Sequence, residues 1–148
     1  MVINMMINTK DYGILDINEE DIISFPKGVY AFEESKSFVI INSGNKSGFM
    51  QLQSIENENP RFIILPAENI IKDYNPDIPE DMIKILKADT ADDLCFFVIA
   101  VIPSNVKAST VNLRSPIAVN FKERLGAQVI LENGEYPVRF KLFENERA

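Results

Sequence analysis

The segment from Ser109 to Lys122 limits the possible folds of this chain more than any other segment. Large apolar side chains fall on its odd positions and polar ones mainly on its even positions, the alternation of a half-buried strand. The inward residues would be Val111, Leu113, Ile117, Val119 and Phe121, and the outward ones Thr110, Asn112, Arg114, Asn120 and Lys122. Pro116 cannot donate to a strand ladder, so the pattern predicts two strand segments that meet at a bulge or an edge. Asn112 and Arg114 would be presented beside this break.

The size and composition of the chain suit one globular domain over residues 1–148. With 148 residues and 46% apolar residues, the chain can bury a core without a disulfide or a metal. Its single cysteine, Cys95, lies in the apolar run Leu94–Ile102, which predicts a strand buried on both faces with Cys95 as a small core residue. One cysteine, no signal peptide and no long apolar stretch predict a cytoplasmic protein without a membrane segment.

Short apolar runs separated by turn residues predict a mostly β fold, either a barrel or two packed sheets, with one short helix. The expected strands are Val2–Asn8, Ile22–Phe25, Phe38–Asn42, Phe49–Gln53, Phe62–Leu65, Leu94–Ile102, Thr110–Leu113, Ile117–Phe121, Ala127–Glu132 and Val138–Phe143. A hairpin loop is expected at Ser43–Gly48, and a shorter helical turn at Glu68–Asp73. The helix is predicted at Pro79–Lys87, where proline and two acidic residues suit the first turn, and it should cross the barrel mouth or one sheet.

The charge and residue types narrow the function classes. A net charge of −7 with scattered lysines and arginines argues against direct nucleic-acid binding and suits a basic protein partner. The chain has no histidine, which excludes Ser-His, Cys-His and His-ligated metal chemistry. The densest carboxylates, at Asp16 with Glu19–Asp21 and at Asp77 with Glu80 and Asp81, are explained by a turn and a helix start. No metal or cofactor is expected, and a small carboxylate enzyme stays as an alternative that needs an acidic pocket.

Several motifs along the chain together resemble the family of the bacterial flagellar assembly factor FliW. They are Ile23–Gly28 with Phe32-Glu33, Leu52–Ser54, Thr110–Ile117 with Asn120, and Gln128–Leu131 with Tyr136. The Asn-Leu-Arg-Ser-Pro-Ile segment is the most specific of them. The chain departs from the family pattern at Ala31, where a glycine is usual, at Leu65, where an aspartate is usual, and at Ser115, where alanine is common.

The resemblance implies a non-enzymatic regulator. Proteins of this family bind CsrA, an RNA-binding translational repressor, and relieve its repression of flagellin translation. They also bind flagellin, which competes for the factor, so the implied mechanism is a partner switch that couples flagellin synthesis to export. Two mutually exclusive partners of one small domain affect each other's apparent affinity reciprocally.

Pattern and resemblance together predict where partners bind. Asn112 and Arg114 can donate hydrogen bonds beside the break at Pro116, and arginine is a frequent interface anchor. Gln51 and Gln53 should form a second polar strip opposite Met50 and Leu52. Phe32 is either an exposed apolar contact or, as the commoner fate of a phenylalanine, a core residue.

Two further alternatives concern the partners. A dedicated flagellin chaperone without a repressor partner would carry the same motifs. A single-stranded RNA-binding barrel would need basic residues interleaved with exposed aromatic ones, whereas most of the ten phenylalanines lie in apolar runs. A shift of labelled RNA by the protein alone would favour that interpretation.

Overall fold

Antiparallel strands dominate the chain, as the alternating apolar pattern predicts. The computed structural model describes residues 3–42, 48–132, 134 and 136–143, and the described part contains ten strands and one α-helix. The strands are β1 (Asn4–Thr9), β2 (Gly13–Asn18), β3 (Ile23–Ser24), β4 (Ser37–Ile41), β5 (Met50–Ser54), β6 (Arg61–Pro66), β7 (Cys95–Val101), β8 (Thr110–Asn120), β9 (Leu125–Gln128) and β10 (Phe140–Lys141). Helix α1 spans Glu80–Ile85.

Seven strands close into a barrel. Strands β3 to β8 follow one another as antiparallel neighbours, β9 pairs with β8, and β9 returns to β3 in parallel. The closing contact between β3 and β9 has one register pair, Ser24 with Leu125. Strand β10 pairs with the first residues of β8, and β1 and β2 form a separate hairpin. The structure therefore confirms the predicted mostly β fold in its barrel form.

The barrel interior holds a continuous apolar core, and further clusters cover its outside. Phe25, Phe38, Leu52, Ile64 and Ile117 belong to the inner cluster and are all fully buried. On the outside, α1 packs against β8 and β9, where Leu86, Ala118 and Ala127 share a cluster. The helix thus lies across the sheet, one of the two expected positions. Residues 67–74 and 136–142 cover the outer face of β7 and the first half of β8.

The β1–β2 hairpin lies against the outer face of β5 and β6. The Thr9 hydroxyl donates to the carbonyl of Gly13 at 2.7 Å and accepts from the N–H of Tyr12 at 2.9 Å, which fixes the turn. At the hairpin tip, Asp11 pairs with the guanidinium of Arg61 on β6 at 2.8 Å. The hairpin thereby removes part of the β5–β6 surface from solvent.

Most strand predictions are confirmed within two or three residues, and the exceptions have physical reasons. The segments predicted at Thr110–Leu113 and Ile117–Phe121 belong to the single strand β8. The strand predicted at Ala127–Glu132 is wrong in position, because β9 ends at Gln128. Strand β2 was not predicted, and the helical turn expected at Glu68–Asp73 is a 3-10 helix at Ala67–Asn69. The predicted loop at Ser43–Gly48 lies, for residues 43–47, outside the described residues.

Four burial predictions for β7 and β8 are wrong. Strand β7 is not buried on both faces along its whole length, because Val101 at its end is 63% exposed. Cys95 is exposed, because it is the first residue of β7 and lies at the rim of the barrel rather than in its core. Phe121 lies just beyond the end of β8 and is about half exposed. Asn120 is buried, since its Nδ2 donates to the carbonyl of Leu86 at 2.8 Å and thereby holds the end of α1.

Candidate functional site

The break predicted at Pro116 is a wide bulge in β8. Phe97 pairs with Ile117, but Ile99 pairs with Asn112, so residues 113–116 stand opposite the single residue Val98. The Oδ1 atom of Asn112 accepts hydrogen bonds from the N–H groups of Arg114 at 3.0 Å and Ser115 at 3.1 Å. Because the bulge cannot use the ladder of β7, the Asn112 side chain supplies the acceptor for two of its amides.

The bulge is also tied to the segment that follows β9. The Nε atom of Arg114 donates to the carbonyl of Tyr136 at 2.9 Å, and the carbonyl of Arg114 accepts from the N–H of Leu131 at 2.8 Å. Pro116 is buried, and its carbonyl accepts from the N–H of Val129 at 2.9 Å. The bonds from Val129 and Leu131 keep the register of β8 and β9, but no return bonds form, because Pro116 has no N–H and the N–H of Arg114 donates to Asn112, so the ladder of β9 ends at Gln128.

A half-buried tyrosine supports the bulge from the outer side of the barrel. The hydroxyl of Tyr74 donates to the carbonyl of Leu113 at 2.6 Å, and its ring lies 4.7 Å from that of Tyr136. Burial raises the pKa of the Tyr74 hydroxyl well above its usual value, and the neighbouring Tyr136 adds to the effect. The hydroxyl therefore stays protonated at physiological pH and keeps this hydrogen bond.

Beyond the bulge, the face of the sheet that forms the barrel interior continues onto the surface. Val101 and Lys141 both pair with Thr110, and Ile99 pairs with Asn112, so these side chains share one face of the sheet. Farther along β7, Phe97 on the same face is buried, whereas Val101 is 63% exposed. We call the surface made by this part of β7, β8 and β10 the open face. It consists of Ile99, Val101, Thr110, Asn112, Arg139 and Lys141.

A shallow hollow of about 390 Å³ lies on the open face. Its further walls come from the loop after β7 and from the segment before β10, and they are Pro103, Ala108 and Val138. Asn112, which the sequence singled out, therefore lines a surface hollow as well as capping the bulge. Val101, Arg139 and Lys141 were not singled out from the sequence.

Gln128 joins the bulge to the loop between β3 and β4. Its Oε1 accepts from the N–H of Tyr30 at 2.9 Å, and its Nε2 donates to the carbonyl of Ser115 at 3.3 Å. Two segments that are about 85 residues apart in sequence are thus connected by one side chain near the seam of the barrel. Tyr30, Ser115 and Gln128 lie within or beside three of the motifs that carry the family resemblance.

Phe32 lies on the surface of the same loop. Its side chain is 44% exposed, and its ring contacts Phe62 edge to face at a centroid distance of 5.5 Å. Phe62 in turn contacts Phe38 of the core. Of the two fates weighed for Phe32, the core residue is wrong and the exposed apolar residue is correct.

Gln51 and Gln53 do not form an exposed polar strip. Gln53 is fully buried beside the turn after β5, and Gln51 is 7% exposed in a hollow that it shares with Asp11 and Tyr12 of the β1–β2 hairpin. The Nε2 atom of Gln51 donates to Oε1 of Gln53 at 2.7 Å, and Nε2 of Gln53 donates to the carbonyls of Ser54, Asn57 and Glu58. Both glutamines hold the turn after β5 and are not accessible to a partner.

Most of the acidic residues noted in the sequence lie at element starts, but Asp16, which was assigned to a turn, lies within β2, where it pairs with Met6. Glu19–Asp21 form a 3-10 helix capped by Asn18, whose side chain accepts from the N–H of Glu20, and Glu80 and Asp81 form the first turn of α1. Within the described ranges, no group of three or more carboxylates or cysteines is placed to hold a metal ion. The carboxylates in these first helical turns lie near the positive end of the helix dipole, where negative charge is stabilising.

The sequence as a whole matches a known protein family. The sequence model of the FliW protein matches residues 6–142. The chain belongs to the FliW family. Curated relatives extend the match over nearly the full length. The flagellar assembly factor FliW of Caldicellulosiruptor saccharolyticus is 39% identical over 95% of this chain and 91% of its own length.

Further FliW relatives and a solved structure agree in length and fold. The flagellar assembly factor FliW of Clostridium tetani is 38% identical over 96% of this chain and 98% of its own length. A crystal structure of the flagellar assembly factor FliW superimposes with a TM-score of 0.87 at 31% identity, covering 94% of this chain and 97% of that one. Among the described residues, no helix has the length and apolar character needed to span a bilayer.

Replacing Ala31 by glycine should stabilise the fold. Ala31 has a φ of 72°, in the left-handed region that costs a residue with a Cβ about 1–2 kcal/mol. Glycine removes this strain but adds entropy to the unfolded chain, so the free energy of unfolding should rise by about 0.5–1 kcal/mol. Chemical denaturation of both proteins measures the difference.

Ala108→Gly is the matched control for this prediction. Ala108 is exposed and does not have a positive φ, so the same substitution should destabilise the protein there by about 0.5–1 kcal/mol. Equal losses of stability at both positions would show that the positive φ of Ala31 does not lower the free energy of unfolding.

Proposed function

We propose that this protein is a non-enzymatic regulator of flagellar assembly that acts in the cytoplasm. It binds the CsrA-type RNA-binding translational repressor and relieves repression of flagellin translation, and flagellin binds as the competing partner. The observation that carries the proposal is the FliW family match over residues 6–142, together with relatives named as flagellar assembly factors. No cofactor is needed, because the proposed action consists of binding two proteins.

The proposed interface lies around the bulge and the neighbouring loop. Phe32 offers exposed apolar area, and Asn112 and Arg114 are half-buried polar residues of the motif. The Gln128 hydrogen bonds support a shared surface, since they join the loop of Phe32 to the bulge. Pro116, Gln51 and Gln53 are buried, so we assign them to the support of this region rather than to contact with a partner.

A calorimetric titration with the CsrA of the same organism, repeated after saturation with flagellin, tests the proposal. We expect binding of the repressor by the free protein and loss of that binding in the presence of flagellin, because exclusive partners lower each other's apparent affinity. Failure of both partners to bind would contradict the proposed function. Binding of flagellin without any binding of the repressor would instead identify a dedicated flagellin chaperone.

Variants in the same titration test the proposed interface independently of the proposed function. Phe32→Ser combined with Asn112→Asp keeps an oxygen acceptor for the bulge amides while it removes the exposed ring and the amide group. We expect the affinity for at least one partner to fall about tenfold or more, a change of about 1.4 kcal/mol. Tyr12→Ser, at the exposed hairpin tip, is the matched control. Unchanged affinities for both partners would move the interface elsewhere and leave the proposed function standing.

A further inference from the structure

The segments around the open face carry positive charge and no acidic residue, although the protein as a whole is acidic. Residues 103–114 and 136–143 border or form this face, and they contain four of the fifteen lysines and arginines but none of the 22 aspartates and glutamates. The four cations are Lys107, Arg114, Arg139 and Lys141. Because the chain as a whole carries a net charge of −7, this region differs in sign from the average surface. Such a local field favours a partner segment with negative charge.

The same region exposes a group of neighbouring apolar side chains to solvent. Val101 is 63% exposed and Val138 is 47% exposed, and both line the hollow together with Ile99 and Pro103. The reverse side of these strands is covered, since Ala100 and Val111 are buried in an outer cluster with Phe140. The open face is thus the uncovered side of a three-stranded sheet, apolar at its centre and cationic at its border.

We propose that the open face binds an acidic amphipathic segment of another protein chain. Apolar side chains of the segment occupy the hollow over Val101 and Val138, and its carboxylates pair with Arg139 and Lys141. This inference goes beyond the proposed function, because it specifies the chemistry of a bound segment and does not depend on the identity of the repressor or of flagellin.

The side chains of the open face suit a peptide better than RNA as the bound partner. Single-stranded RNA binds to sheets through exposed aromatic rings on which the bases stack. The lining of the hollow instead consists of aliphatic residues, proline, threonine and asparagine beside Arg139. Aliphatic side chains suit the leucines or isoleucines of an amphipathic segment, and the arginine suits its carboxylates.

Two synthetic peptides test the proposal. Both are about 18 residues long with the same helical stripe of leucines, and one carries glutamates and the other lysines on the polar positions. Fluorescence anisotropy should show binding of the glutamate peptide that weakens between about 0.1 and 0.5 M salt. Arg139→Glu combined with Lys141→Glu should lower the affinity for the glutamate peptide at least tenfold, because the double substitution reverses the charge at the border of the open face.

Two further variants keep the test decisive. Lys72→Glu combined with Lys84→Glu changes the net charge equally at exposed positions on other elements, and the glutamate peptide should bind this control almost as tightly as the unmodified protein. Val101→Ser leaves every charge in place and should weaken the glutamate peptide severalfold through lost apolar contact.

Three results would overturn the proposal. The first is no binding of the glutamate peptide, or equal binding of both peptides. The second is an equal effect of the two double variants. The third is displacement of the bound glutamate peptide by labelled polyuridylate at equal nucleotide concentration, which would make the open face an RNA site.

Discussion

Replacement of Gln53 by alanine should lower the free energy of unfolding by about 3 kcal/mol or more. The substitution removes the donor for the carbonyls of Ser54, Asn57 and Glu58 and the acceptor for Nε2 of Gln51. A buried polar group left without a partner costs about 1–3 kcal/mol, and the deleted side chain leaves a cavity in addition. Thermal unfolding should therefore occur about 6–12 °C lower, given about 2–4 °C per kcal/mol for a chain of this size.

Gln53→Glu is the sharper test, because it changes the donor and keeps the shape. An ionised carboxylate would face three carbonyl oxygens in a buried site, so burial and repulsion raise the pKa of the introduced carboxyl in the folded state above the unfolded value of about 4.3. A raised carboxyl pKa means that stability falls as the pH rises above about 4.3 and recovers below it. The deficit of Gln53→Ala relative to the unmodified protein should not depend on pH. A loss below about 1 kcal/mol for Gln53→Ala would contradict the assigned role, given the cost of an unpaired buried group.

The second large effect is expected at the seam of the barrel, where β9 meets β3. Gly126 faces the ring of Phe25, and a Cβ added at this glycine would lie 2.6 Å from two ring carbons. Phe25 is fully buried and packs edge to face against Phe38 at 5.0 Å, so it cannot withdraw toward solvent. Gly126→Ala should cost about 3 kcal/mol through overpacking.

A double-mutant cycle separates this clash from other effects of the alanine. Phe25→Ala alone should cost about 3–5 kcal/mol, because it empties the space beside the glycine. In that background the added methyl group of Gly126→Ala has room, so the double variant should be more stable than the sum of the single effects by about 2 kcal/mol. Denaturant unfolding of the four proteins measures the cycle. Additive losses would show that the glycine is needed for some reason other than the approach of the ring.

The strands and the break in β8 were predictable because their signals are local, whereas the choice of a barrel over two packed sheets depends on the long-range pairing of β3 with β9. Alternation along β8 and the apolar run of β7 predict strands, and a proline within an alternating run predicts an interrupted ladder; the pairing of Ile99 with Asn112 confirms that interruption. Strand β2 was missed because its residues at Gly13 and Asp16 break the apolar run. A hairpin that packs on one side only has a weak alternation of apolar and polar residues. The first residue of such a strand and its buried face are therefore hard to predict from the sequence.

The burial of the glutamines could not be predicted from β5 itself. Alternation distinguishes two faces of a strand, and it cannot show that the β1–β2 hairpin returns over the polar one. The end of β9 was misjudged for a similar reason, since Val129 and Leu131 donate to β8 but receive no return bonds from Pro116 and Arg114. Such long-range contacts have no local pattern.

Part of the candidate site did have a signal in the sequence. Arg139 and Lys141 alternate with apolar neighbours in the predicted strand Val138–Phe143, which places both on one face. The absence of acidic residues from 103–114 and 136–143 is visible in the same way. Only the pairing of β10 with β8 brings the two segments together around Asn112.

The bulge divides β8 into one part that belongs to the barrel core and another part that belongs to the surface. The residues after it, such as Ile117 and Val119, are buried in the barrel core, whereas Thr110 and Asn112 before it contribute to the surface. Because residues 113–116 are held by the segment after β9, a change at Thr110 need not shift the core residues farther along the strand. Residues of the open face can therefore change while the barrel that carries them keeps its core packing.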